Sequence, residues 1–173
     1  EKTVPHTVLA LVPHPDDAEL HAGGTLAKMI AEGGRLTIVV ATDGRCGSHV
    51  HDSDALARLR AEEMHRAAAI LGADVPVLLG SPDMGLDALP PGVLREKFTR
   101  AIRKIRPDVV VTEDADGPFE THPDHRASAR AALEALSFHS RMGKKSDLAL
   151  GMTRLKSDVP GALQARTLDA TLK

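Results

Sequence analysis

The chain has 173 residues, 42% hydrophobic and 27% charged, with 22 basic against 24 acidic side chains and a formal net charge of -2. These are values of a one-domain globular chain, and they exclude a disordered polyelectrolyte. No segment is dominated by one sign, so nucleic acid is not an expected partner, and no apolar run approaches the ~20 residues needed to span a bilayer.

Apolar β-branched runs alternate with amphipathic stretches, the pattern of repeated strand–helix units. Thr7 to Val12 (TVLALV) reads as a buried strand, and Gly24 to Glu32 as a helix closed by Gly33 and Gly34. Leu36 to Ala41 (LTIVVA) is the next strand. Ala55 to Leu71 has apolar residues at helical spacing, with Ser53 and Asp54 as cap candidates and Gly72 as its stop. Val75 to Leu79 is a third strand. Gly92 to Ile105 is a helix ended by Pro107, Asp108 to Thr112 (DVVVT) a fourth strand, and His125 to Phe138 a fourth helix. Beyond about Ser140 the pattern weakens, with Lys144, Lys145 and Gly151 breaking it.

The expected fold is therefore α/β: a single Rossmann-like domain over residues 1–173, with a mostly parallel sheet and helices on both faces. Ligand chemistry in such sheets gathers at the C-terminal ends of the strands. The single cysteine, Cys46, excludes an intrachain disulfide framework and fits a reducing, cytoplasmic compartment. The chain opens on Glu1 without a basic-then-apolar leader; a leader already removed would instead mean secretion. Trp and Tyr are absent and only three Phe occur, so the core is aliphatic and a sugar site would have no Trp or Tyr platform.

Two constellations follow strands. The first, Pro13-His14-Pro15-Asp16-Asp17-Ala18-Glu19, places an imidazole and a carboxylate, both normal zinc ligands, in one tight turn. Asp16 between them is positioned as a base for a metal-activated water. The second, His122-Pro123-Asp124-His125, offers two histidines three residues apart, one as a ligand and one as a hydrogen-bond donor to a developing oxyanion. Asp124 is placed to fix a histidine tautomer. Asp43 and Gly44 read as shaping a nearby loop, and Glu19 as a first-turn acid or a hydrogen-bond partner to a ligand.

The runs PHPDDAEL, GGTLAKMIAEG, TDGRCGS, RAEEMHRAAAILG and HPDH, spread over roughly the first 138 residues, resemble the LmbE-like, or PIG-L, family of zinc-dependent de-N-acetylases. That resemblance implies a zinc site of His14, Asp17 and His125, with Asp16 as general base. His122 would steady the tetrahedral intermediate, Asp124 would be its partner, and Arg60, followed by Glu63, would reach the substrate. DGPFETHPDHR is similar to the branch acting on N-acetylglucosamine compounds, so the implied partner is a small N-acetylated sugar. Residues 139–173 carry no recognisable part of the pattern, and family members usually run well past 200 residues.

Other readings remain open at this level. The same site would cleave another amide, such as a sugar-linked thiol conjugate, or serve a metal-stabilised binding module without turnover. A different divalent ion such as Fe2+ would meet the same donors, and a homo-oligomer is compatible with the composition. Arg45 beside Cys46 would lower the thiol pKa, although no histidine–acid relay accompanies it. His49, His51, His65 and His139 lack a paired pattern and read as surface residues, and Asp114 and Asp116 read as loop acids.

Overall fold

Alternation along the strands sends successive side chains to opposite faces, and both faces are apolar, so the sheet must be covered twice. The computed structural model, which describes residues 6–140 and the short strands Met152–Arg154 and Leu163–Ala165, has this arrangement. In chain order it contains β1 (Thr7–Val12), α1 (Asp17–Ala31), β2 (Arg35–Thr42), α2 (Ser53–Leu71), β3 (Val77–Ser81), α3 (Val93–Ile105), β4 (Val109–Thr112) and α4 (Pro123–Ser140). β5 (Met152–Arg154) and β6 (Leu163–Ala165) form a separate antiparallel pair.

The main sheet is parallel throughout, in the order β3-β2-β1-β4. One face buries Val8, Ala10, Val12, Ile38 and Val40 under Ala22 and Leu26 of α1 and Met64 and Ala68 of α2. The other buries Leu9, Leu11, Val39 and Val110 under Phe98 and Ile102 of α3 and Ala132 and Leu136 of α4. After β3 the chain returns to the far side of β1. The strand order therefore reverses between β1 and β4, where an open sheet leaves a crevice beyond its carboxyl ends.

Several element bounds differ from the sequence reading. α1 begins at Asp17, seven residues before the expected Gly24, and runs through Gly23 and Gly24. A Cβ at either glycine would meet nothing within 4 Å, so neither is required sterically. The buried stripe Ala18, Ala22 and Leu26 holds the turn helical, against a cost of about 1 kcal/mol per glycine. α2 is capped by Asp52, not Ser53 or Asp54: its carboxylate accepts the Asp54 and Ala55 amides at 3.0 and 3.1 Å. β3 starts at Val77 because Pro76 has no amide to donate. α4 starts at Pro123, whose fixed φ suits a first helical position, so His125 falls within the first turn. Lys144, Lys145 and Gly151 lie outside the described residues.

Glu19, in the first turn of α1, has both carboxylate oxygens buried without a hydrogen-bond partner. Burial raises its pKa above the ordinary 4.5, and the charges of Asp16 and Asp17 add to this. The folded protein thus holds a proton that the unfolded chain gives up as pH rises, and stability falls from this source between acid and neutral pH. In the chelator-treated protein, Glu19→Gln is expected to raise the thermal midpoint at pH 7 by a few degrees, on the order set by unfolding entropy. The difference from the parent should vanish near pH 4; scanning calorimetry at the two pH values checks it, and an equal midpoint at pH 7 would refute it.

Candidate metal centre

At the end of β1 the chain makes a tight turn in which the Asp16 and Asp17 amides both donate to the His14 carbonyl, at 2.9 and 3.4 Å. The His14 amide in turn donates to Asp17 Oδ2 at 2.8 Å, which fixes the carboxylate relative to its own backbone. At the end of β4 a loop leads to His122 and the first turn of α4. Because β1 pairs directly with β4, both turns open into one cleft of about 320 Å³. It is lined by His14, Asp16, Asp17, Arg60, His122 and His125, among others.

His14 Nδ1 lies 3.1 Å from Asp17 Oδ2 and 3.2 Å from His125 Nε2, and His125 Nε2 lies 3.5 Å from Asp17 Oδ1. Ligands bound to zinc at 2.0–2.1 Å in tetrahedral geometry stand about 3.3–3.4 Å apart. Nitrogen and oxygen donors with this spacing make a three-point set capable of holding a divalent ion. His14 and Asp17 are buried, and His125 is mostly so.

Each histidine is backed by a carboxylate on its far nitrogen. His125 Nδ1 pairs with Glu120 Oε2 at 2.9 Å, so Nε2 presents its lone pair to the centre. His14 Nε2 is 3.0 Å from Asp83 Oδ1 and 3.4 Å from Asp124 Oδ2, close to both carboxylates though aligned with neither for a hydrogen bond. Burial alone would lower the His14 pKa, but Asp17, Asp83 and Asp124 outweigh it and raise the value. Asp17 is shifted the other way: burial opposes its charge, and His14 and His125 outweigh burial and lower its pKa. The local field therefore favours positive charge at this point, whether a proton or a cation carries it.

Asp16 stands at the rim, about half exposed, with Oδ1 2.7 Å from Arg60 Nη2. Arg60 also donates to the carbonyls of Gly44 and Pro15 at 3.2 and 3.4 Å. Expected as a substrate contact, it lines the cleft with its guanidinium engaged by Asp16. Gly44, with φ +66°, and Gly47 supply the room: a Cβ would come within 2.8 and 2.7 Å of Arg60 Nη1.

His122 Nδ1 accepts the Asp124 amide at 3.2 Å, so in the neutral ring the hydrogen sits on Nε2. Burial, and then the neighbouring His14 and His125, lower its pKa. Asp124, expected as the partner of this histidine, meets it through its backbone amide. Its fully buried carboxylate is engaged instead by the Met84 and Leu86 amides at 2.7 and 2.9 Å, which pins the loop after β3 to α4.

Asp83 and Glu120 were not singled out in the sequence, nor were His21 and Glu113, which pair at 2.8 Å beside Asp17. Asp83 follows β3 as closely as His14 follows β1, and strand-end position is the signal that points to it. Asp43 accepts from Arg45 Nε at 2.8 Å and from the Asp83 amide at 3.4 Å, so it does shape the adjoining loop. The expected lowering of the Cys46 thiol pKa is reversed: residual burial pushes it up, as do Asp83 and Asp43, and Arg45 is drawn to Asp43 and Asp54. His49, His51, His65 and Glu63 are exposed, Asp114 and Asp116 form a loop, and the His139 side chain lies outside the described residues.

The family described as "PIG-L: GlcNAc-PI de-N-acetylase" matches residues 9–136. A diacetylchitobiose deacetylase of Thermococcus kodakarensis is 36% identical over 149 residues, 84% of this chain and 55% of that protein. A 1D-myo-inositol 2-acetamido-2-deoxy-alpha-D-glucopyranoside deacetylase of Streptomyces scabiei is 30% identical, covering 84% of this chain and 54% of its own. Among solved structures, an N,N'-diacetylchitobiose deacetylase from Pyrococcus horikoshii superposes with a TM-score of 0.74 at 30% identity, over 83% of this chain and 59% of that one. The chain thus spans about half the length of the curated relatives it matches. With the fold, the strand-end cleft and these matches together, the chain belongs to the PIG-L, or LmbE-like, deacetylase family.

Proposed function

We propose that the protein is a zinc-dependent hydrolase that removes the acetyl group from an N-acetylglucosamine-containing sugar, with His14, Asp17 and His125 as the metal ligands. The observation that carries this reading is the set of three donor residues, His14, Asp17 and His125, whose nearest nitrogen and oxygen atoms lie 3.1–3.5 Å apart, with Asp16 at the rim of the same cleft. A zinc ion held by such donors supplies Lewis acidity, for activating water and for polarising an amide carbonyl. The substrate class rests on the relatives, whose names specify acetamido sugars. We also read the chain as one domain.

In this reading Asp16 takes the proton of the attacking water. Arg60 holds the carboxylate in place by one of its guanidinium nitrogens, and is a positioning residue in addition to any sugar contact. His122, fixed by the Asp124 amide with its Nε2 hydrogen free to face the cleft, donates to the oxyanion of the tetrahedral intermediate. The proton gained by Asp16 then passes to the departing amine as the C–N bond breaks, and acetate and a free amino sugar are the products. Exposed Met84 lines the cleft and offers the sugar an apolar edge beside the polar groups.

The test is acetate released from N-acetylglucosamine and N,N'-diacetylchitobiose by zinc-loaded and chelated protein. Asp16→Asn should retain zinc and lose about 10²–10⁴-fold in turnover, the usual worth of a general base. Turnover within twofold of the parent would remove Asp16 from that role, and no acetate from either sugar with zinc bound would overturn the substrate. His14→Ala and His125→Ala should each lose the zinc of this site, a drop of one equivalent by elemental analysis. Glu120→Gln should keep the ligands but weaken zinc binding about 10–100-fold, as the loss of an orienting carboxylate does; unchanged affinity in a competition titration would count against that role.

A further inference from the structure

Glu113 follows β4 directly and is buried, yet no step above uses it. Its Oε1 lies 2.8 Å from His21 Nδ1, and His21 stands one helical turn after Asp17 on the same face of α1. One ligand atom each from Asp17, His21 and Glu113 falls within 4.8 Å of the others, and the same holds for Glu113, Glu120 and His125. The second triple is unsuited to a cation, because His125 Nδ1 already pairs with Glu120 and would have to give up its proton while Nε2 serves the first centre. The first triple has no such conflict. His21 Nδ1 and Glu113 Oε1 already face each other at 2.8 Å, Asp17 has two carboxylate oxygens, and an imidazole with two carboxylates is a donor set suited to the same class of ion.

Charge favours occupancy as well. The carboxylates of Asp17, Glu113 and Glu120 meet at this end of the sheet, and their ion-pair partners are histidines, neutral unless protonated. Among the described residues Arg60 is the one Lys or Arg lining the cleft, and it is paired with Asp16.

We propose that His21, Glu113 and a shared Asp17 form a second divalent-cation site of the zinc class beside the first. This rests on the reading that Asp17 also serves the first ion. In it the cation takes the place of the hydrogen that now joins His21 to Glu113, and Asp17 bridges the two centres.

The test is the stoichiometry of Zn2+ binding to the metal-free protein, by calorimetric titration and by elemental analysis after gel filtration. The parent should bind two equivalents, and His21→Ala and Glu113→Gln one each; Glu113→Gln keeps the shape of the side chain should His21→Ala misfold. His14→Ala should also lose one equivalent. A parent that binds one equivalent, or variants of His21 and Glu113 that still bind two, would overturn the second site and leave the first standing. A His14→Ala protein that binds as much zinc as the parent would instead overturn the first assignment.

Discussion

The direct parallel pairing of β1 with β4 is the contact on which the rest of the molecule depends. His14 and His125 are 111 positions apart, and their ring nitrogens come to 3.2 Å only because Leu11 of β1 is in register with Thr112 of β4. The pairing sets the strand order to reverse at this point, which is what opens the crevice there. Apolar residues on both faces of β1 keep that strand central: Leu9 and Leu11 pack toward α3 and α4, Ala10 and Val12 toward α1 and α2. A polar site can then be built at the edge of a core that excludes water from one side of it.

The electrostatics of the site follow from crowding acids at that edge. Asp17, Asp83, Asp124 and Glu120 all lie close to the ring nitrogens of His14 or His125, and their field holds the His14 pKa high despite its burial. Burying this much negative charge is costly unless a cation or a hydrogen-bond network compensates it. Asp124 is compensated by two backbone amides, Asp16 by Arg60, and Asp43 by Arg45. Glycines of the TDGRCGS loop belong to the same network, since Gly44 and Gly47 leave the space that the Arg60 guanidinium fills.

Family membership and reaction stand on different grounds here. A fold by itself does not name a reaction. What the structure shows is the donor set of His14, Asp17 and His125, with Asp16 and His122 lining the same cleft. The relatives whose names specify acetamido sugars are matched over about half their length.

Much of this was legible in the sequence. Val/Ile/Leu runs of strand length between amphipathic stretches determined a parallel α/β sheet, because such runs are buried on both faces, and the motifs after the first and fourth runs placed the chemistry at strand ends. Local pattern could not locate the start of α1, since the Gly23-Gly24 pair reads as a break and only the buried stripe beneath it keeps the helix continuous. Nor could it find Asp83, Glu113, Glu120 or His21, which are single residues without a motif. It placed Asp124 beside His122 but could not show that the Met84 and Leu86 amides, 40 and 38 positions away, take its carboxylate. Ligand types were set by covalent chemistry and short-range spacing, which a sequence carries; partners were set by strand order and loop packing, which only the tertiary structure decides.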